Sequence, residues 1–168
     1  MRFTNILTPE LGGTITAVLD GTEGQSMLDN MAIDNSGHIL LQEDPGDLVY
    51  SSKILQYTIA TDALTTISQH DPNQFTSTGS NYLGTQNEES SGIFDAQNIL
   101  GPGMFLFVDQ VHLGHPNPAV VEWGQLLSMY NPSTFTSNPE IDLVGNGSSI
   151  IDGSVITSTN NNTGFGFV

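Results

Sequence analysis

The sequence predicts an all-β protein, a partial β-propeller of two to three antiparallel meander blades with a short C-terminal β segment. Short alternating or apolar runs are separated by Gly, Asn and Pro, whereas the spacing of amphipathic helices is rare. The order of these runs also repeats once, with an offset of about 60 residues, which fits successive propeller blades. Two consecutive hairpins of an ordinary β-sandwich would give the same pattern.

The first unit begins with a hairpin whose polar loop spans residues 20–24. A second hairpin turns at Gly37, because glycine tolerates the positive φ that a tight turn requires. Two further alternating runs complete the meander before the break at Pro72. The predicted strands are, in order, Gly13–Leu19, Met31–Ile33, His38–Leu41, Lys53–Ile59 and Leu64–Ser68.

The second unit follows a polar segment and has three predicted strands, Ser91–Asp95, Met104–Val108 and Gly124–Tyr130. From about residue 137 the composition changes to Asn, Gly, Ser and Thr with isolated apolar residues. We therefore divide the chain into a propeller part, 1–136, and the start of a different β module, 137–168.

The chain is strongly acidic, with 18 Asp and Glu against only Arg2 and Lys53, which gives a formal charge of −16 in 168 residues. Such a field repels nucleic acid and anionic membranes and attracts cations, so we expect no nucleic-acid partner. A solvated acidic surface and specific cation sites both fit this charge.

Cysteine is absent, which excludes disulfides and thiolate metal sites. No run is long and apolar enough for a signal peptide or a membrane span, so we expect no membrane insertion.

Acid and amide side chains cluster at corresponding strand ends. Asp29 and Asn30 begin one strand, and the antiparallel return of the chain brings Glu43 and Asp44 near them. Residues 88–89, both Glu, precede the corresponding strand of the second unit. Calcium prefers such oxygen ligands, although turn caps and charged loop edges are the alternative interpretation.

A further candidate group lies at Asp109, His112 and His115, whose spacing could bind a transition metal. Pro116 favours an irregular loop there, so a surface role fits as well. Ser90 and Ser91 lack a nucleophile-elbow motif and are interpreted as structural hydroxyls. His38 is expected to be exposed. The complete set of candidate metal ligands is Asp29, Asn30, Glu43, Asp44, Glu88, Glu89, Asp109 and His112.

The runs LDNMAIDNSGHILLQEDPG (28–46) and EESSGIFD (88–95) resemble the C-terminal part of bacterial PhoX-like proteins, a family of secreted β-propellers that includes calcium-dependent alkaline phosphatases. The resemblance covers about residues 12–132, and the tail 139–168 resembles the opening of an immunoglobulin-like, choice-of-anchor module. It implies a secreted or cell-surface location, a Ca²⁺ site, and iron in a complete parent protein. Phosphomonoester hydrolysis by metal clamping of the phosphoryl group would be the activity.

We therefore expect the calcium-binding portion of a PhoX-like propeller that is inactive alone, since only two to three blades are present. No catalytic residue is assigned. One alternative is a non-enzymatic extracellular module for adhesion or filament assembly, in which other copies pair through open edge strands or supply the missing blades. Another is a lactonase-like or sugar-binding propeller, because Asp29-Asn30 before a strand also resembles the metal position of those proteins.

Overall fold

The computed structural model describes residues 2–46, 49 and 51–134, and within these ranges the chain is mostly β-strand. The predicted all-β class is confirmed, whereas the module predicted for 137–168 lies outside the described residues. The strands are β1 (Arg2–Phe3), β2 (Ile15–Thr16), β3 (Leu28–Ile33), β4 (His38–Glu43), β5 (Lys53–Thr58), β6 (Ala63–Gln69), β7 (Glu89–Asp95), β8 (Met104–Gly114) and β9 (Glu122–Tyr130). Two one-turn α-helices, α1 (Pro72–Phe75) and α2 (Gln97–Leu100), and two 3₁₀ turns, Pro9–Leu11 and Pro132–Thr134, complete the elements of the described part.

The strands form antiparallel sheets in the order β1-β2, β3-β4-β5-β6 and β7-β8-β9. The two larger sheets are meanders of sequential neighbours, as the sequence predicts. The tight turn between β3 and β4 contains Gly37 at a φ of 87°. Asp34 closes this turn, because its Oδ1 accepts hydrogen bonds from the backbone N–H groups of Ser36 and His38.

The predicted hairpin between Gly13–Leu19 and Met31–Ile33 is wrong. β2 pairs with β1 rather than with β3. Val18 and Leu19 instead pack next to Leu41, in a second apolar cluster on the four-stranded sheet that is separate from the main core. Apolar side chains that cover a sheet gain the same burial as side chains within a strand, so the pattern did not distinguish the two arrangements.

The first strand of each larger sheet contains a β-bulge. Residues 28–31 of β3 face a shorter stretch of β4, and residues 91–94 of β7 face a shorter stretch of β8. The two bulged strands touch, since Asn30 Nδ2 donates to Ser91 Oγ at 3.1 Å. Matching bulges in adjacent strands support the repeat of strand order that the sequence predicts.

The main core lies between the two larger sheets. Successive strand residues point to opposite faces, and in β8 this places Phe105, Phe107 and Asp109 on the side that faces the four-stranded sheet. The buried core residues are Ala32, Leu40, Ile54, Ile93, Phe105 and Phe107. The acidic Asp109 therefore lies directly beside an apolar core.

The opposite side of the β7-β8-β9 sheet, which we call the outer face, is apolar and exposed. Leu126 is 72% exposed and pairs with Val108, which is itself partly exposed. Phe94 lies on the same face and is 44% exposed. A sheet face of this kind is a candidate surface for packing another sheet or chain.

Tyr57→Phe should lower the free energy of unfolding by about 1 kcal/mol, because the Tyr57 hydroxyl donates to Asp62 Oδ1 at 2.7 Å. Tyr57 is buried, and Asp62 has a positive φ in the turn that follows β5. Urea denaturation measures the change. Tyr82→Phe is the matched control, since Tyr82 is exposed and its loss should change stability by less than about 0.5 kcal/mol. Equal losses in the two variants would contradict a specific stabilisation of the turn.

Candidate functional site

Three oxygen-bearing side chains lie side by side on the inner face of the β7-β8-β9 sheet. Ser90 pairs with Asp109 across β7 and β8, and Glu88 precedes Ser90 by the two residues that return a side chain to the same face. Their exposed fractions are 0% for Glu88 and 1% for Ser90 and Asp109. We call these three residues the buried oxygen cluster.

Two residues of the four-stranded sheet hold the carboxylates of this cluster. The Ser52 backbone N–H donates to Glu88 Oε1 at 3.0 Å, and His70 Nε2 lies 2.8 Å from Asp109 Oδ1. The Ser52 hydroxyl lies 2.6 Å from His70 Nδ1. Ser52 precedes β5 and His70 follows β6, so the pairing of these strands brings them together. The backbone N–H of His70 donates to the Ser52 carbonyl at 3.0 Å. We call these two residues the Ser52–His70 pair.

Each member of the buried oxygen cluster has one side-chain oxygen without a hydrogen-bond partner in the described structure. Glu88 Oε2, Ser90 Oγ and Asp109 Oδ2 are buried and have no hydrogen-bond partner among the described residues. A buried polar atom without a partner costs on the order of 1–3 kcal/mol, and carboxylate oxygens cost more. Three such oxygens on neighbouring positions are acceptors that ordered water, a bound cation or a proton on Glu88 would satisfy.

The surroundings of Glu88 also affect its charge. Burial raises the pKa of Glu88 to about 7, the Ser52 N–H and the His70 ring oppose the rise, and the charge of Asp109 adds to it. A carboxyl group with this pKa is only partly ionised at neutral pH. A cation beside it would favour the charged form.

Ser52, His70 and Asp109 form a hydrogen-bonded series of the residue types found in serine hydrolases. Ser52 and His70 are both 0% exposed, so a substrate cannot approach the Ser52 oxygen. A nucleophile must reach the bond that it attacks, and the Ser52 oxygen is enclosed in this structure.

A second, more exposed cluster contains Asp44, Glu89, His112 and Glu122. We call these four the rim residues. His112 Nδ1 lies 3.0 Å from Glu122 Oε2, and His112 Nε2 lies 3.6 Å from Glu89 Oε1. Burial raises the pKa of Glu89, the hydrogen bond with Asp44 and its charge raise it further, and His112 lowers it.

The irregular loop expected around His112 is wrong. His112 lies within β8, at an irregularity between Gln110 and Gly114 where its φ is 47°. The prolines that follow end the strand after Gly114 rather than before His112. His115 instead packs on Trp123, with 4.2 Å between the ring centroids.

The other predicted ligands have different surroundings. Glu43 is fully buried, and its two oxygens accept from the Ser26 and Lys53 N–H groups at 2.8 and 3.0 Å. Asn30 donates to Ser91 and to the neighbouring Asp29, which is exposed. Metal ligation by Asp29, Asn30 and Glu43 stays a prediction.

The described residues contain no group of three or more His, Cys, Asp or Glu side chains that could hold a metal ion by themselves. The buried oxygen cluster supplies two carboxylates and one hydroxyl. Calcium takes six to eight oxygens, and backbone carbonyls and water commonly complete its shell. The cluster therefore fits part of a calcium shell.

Sequence reasoning missed Ser52 and His70 and misplaced His38. His70 contacts a residue 39 positions away, and nothing in the sequence around it identifies that partner. The expected exposure of His38 is wrong, since the side chain is buried with Nδ1 2.8 Å from Asp34 Oδ2. The separation of four residues between Asp34 and His38, across a tight turn, is a signal that could have indicated this contact.

A small cavity lies elsewhere, at the tips of β3 and β7, and its volume of about 30 Å³ suits one water molecule. Asp34 and Asp95 line it, and the oxygens of both carboxylates already interact with neighbouring donors. This cavity therefore needs no cation.

Comparison of the chain with protein-family models, with curated proteins and with solved structures gave no match. In the described part of the chain, no helix has the length and apolar character needed to cross a membrane.

Proposed function

We propose that this chain is a calcium-binding all-β module, built from consecutive blades of a secreted PhoX-like propeller. The observation that carries the proposal is the buried oxygen cluster. It has three unpartnered oxygens, two of them on carboxylates, at neighbouring positions of one sheet face.

The chemistry of the cluster favours a hard divalent cation. Carboxylate and hydroxyl oxygens suit calcium or magnesium, whereas soft metals select sulfur ligands. A cation would offset both the raised pKa of Glu88 and the missing hydrogen bonds, while a water molecule would offset the missing hydrogen bonds alone. The formal charge of −16 adds long-range attraction for cations.

The blade assignment rests on the strand arrangement. Two antiparallel meanders follow each other in the chain, their first strands β3 and β7 both carry bulges, and these strands lie side by side. Phosphomonoester hydrolysis is proposed only for a complete parent propeller, because two carboxylates with one hydroxyl provide part of one metal site.

Calcium titration of the purified chain tests the proposal. We expect saturable binding by calorimetry, with a dissociation constant of about 10⁻⁴–10⁻³ M as in extracellular calcium modules, and a melting temperature that falls when a chelator is added. Asp95→Asn is the matched control, since it removes a carboxylate outside the cluster and should bind calcium normally. Absence of binding heat together with an unchanged melting temperature would refute calcium binding.

A second candidate function is assembly without catalysis, favoured by the exposed outer face. Phe94, Val108 and Leu126 give this face the apolar character of a surface that packs against another sheet. A second copy of the chain is the proposed partner. If Phe94→Ala loses more stability at high protein concentration than at low concentration, the wild type associates with a second copy through this face.

A further inference from the structure

We propose that the Ser52–His70 pair positions the two calcium-binding carboxylates, so that ion binding depends on contact between the two larger sheets. This inference rests on the proposed calcium site. It assigns Ser52 and His70 as positioning residues that do not themselves touch the ion.

In each carboxylate, one oxygen has a hydrogen-bond partner and the other has none among the described residues. Glu88 Oε1 accepts from the Ser52 N–H and Asp109 Oδ1 contacts His70 Nε2, whereas Glu88 Oε2 and Asp109 Oδ2 have no hydrogen-bond partner in the described structure. A carboxylate fixed through one oxygen loses little further freedom when the other oxygen binds an ion. Outer contacts of this kind commonly change metal affinity by about 10- to 100-fold.

The two holding groups are connected to each other. His70 Nε2 lies 2.8 Å from Asp109 Oδ1, and Nδ1 lies 2.6 Å from the Ser52 hydroxyl and 3.3 Å from the Ser52 carbonyl oxygen. The Phe75 ring meets the His70 ring edge-on, with 5.3 Å between their centroids, and restricts its rotation. The pair therefore holds one oxygen of each carboxylate and leaves the other oxygen without a hydrogen-bond partner in the described structure.

The pair belongs to one sheet and the carboxylates to the other. Ser52 and His70 flank β5 and β6, while Glu88 and Asp109 belong to the β7-β8 hairpin region. Loss of the pair should therefore weaken ion binding more than loss of another polar contact between the same sheets. Asn131 provides that comparison, because its buried Nδ2 donates to Gln56 Oε1 at 2.6 Å across the sheets.

The experiment compares His70→Leu, His70→Gln and Ser52→Ala with the control Asn131→Leu. Calcium affinity is measured by calorimetry, and the number of water molecules on bound Eu³⁺ is measured from luminescence lifetimes in H₂O and D₂O. We expect His70→Leu to bind calcium about 10- to 100-fold more weakly and to add water to the Eu³⁺ shell. His70→Gln should recover part of the affinity, because its amide can donate to Asp109, and Asn131→Leu should match the wild type.

Each outcome decides the inference. Weak binding and added water in His70→Leu, with partial recovery in His70→Gln, support positioning by the pair. Ser52→Ala keeps the backbone N–H that donates to Glu88 and removes only the hydroxyl contact with His70, so it should weaken binding less than His70→Leu. Wild-type affinity in His70→Leu, or an equal loss in Asn131→Leu, overturns the inference. If His70→Leu does not fold, His70→Gln is compared with the control by the same readouts. A wild-type chain that binds no calcium refutes the proposed function itself, which separates that failure from failure of the positioning role.

Discussion

Glu88→Gln is expected to stabilise the chain at pH 8 in the presence of a chelator. Burial raises the pKa of Glu88 from 4.5 to about 7, so the folded chain keeps a proton between these pH values that the unfolded chain has lost. The contribution of Glu88 to stability is therefore complete below pH 4.5 and is lost as the pH rises to 7. The shift corresponds to on the order of 3 kcal/mol, which glutamine avoids because it stays uncharged.

The measurement is urea denaturation of both proteins from pH 4 to pH 8. The two stabilities should coincide near pH 4 and diverge as the pH rises. Glu89 also has a raised pKa, but it is present in both proteins and cancels in the difference. Parallel stability curves over the whole range would contradict a raised pKa of Glu88 in the folded chain.

Calcium should reverse the order of stability, so that the wild type becomes more stable than Glu88→Gln. At about a hundred times the dissociation constant, a ligand stabilises the folded chain by about 2.7 kcal/mol. The wild type should gain this stabilisation and Glu88→Gln much less, because the variant has lost one charged ligand. The same pair of proteins therefore links the pH dependence of stability with the ion that we propose.

The sequence predicts the sheets better than the site, for a physical reason. Alternation and turn residues are local, so the strands around Gly37 and from Met104 to Val108 are found where the sequence places them. Covering of a sheet by an irregular segment leaves no periodic signal, which explains the error at Gly13–Leu19. His112 illustrates the same limit, since strand β8 continues through an irregularity that the pattern does not indicate.

The sequence analysis names both acids of the candidate site but does not group them. Asp109 is placed with His112 as a transition-metal candidate, and it lies within β8 rather than at a strand end. Ser52 and His70 join the two acids only after the two larger sheets pack. Contacts between distant residues depend on packing that a single sequence does not encode in any local pattern. The rim residues Asp44, Glu89 and His112 also come together, as a neighbouring cluster separate from the buried oxygens.

Phe105→Ala should cause the largest loss of stability, about 3–5 kcal/mol. Phe105 is 1% exposed and belongs to the core that joins the two larger sheets, on the strand that also carries Asp109. The total stability of a domain is commonly 5–15 kcal/mol, so this loss should place the variant near the limit of folding. Urea denaturation of the variant at pH 6 in the presence of chelator measures the loss.

Phe94→Ala is the matched control, because it removes the same side chain from the outer face of the same sheet. Phe94 is 44% exposed, so its loss should cost less than about 1 kcal/mol in the monomer. A loss as large as that of Phe105→Ala at low protein concentration would contradict the assignment of the core to the space between the two larger sheets. If the loss grows with protein concentration, the wild type is stabilised by self-association through the outer face, and assembly becomes the better account of that surface. A small loss that does not depend on protein concentration would contradict pairing with a second copy through the outer face.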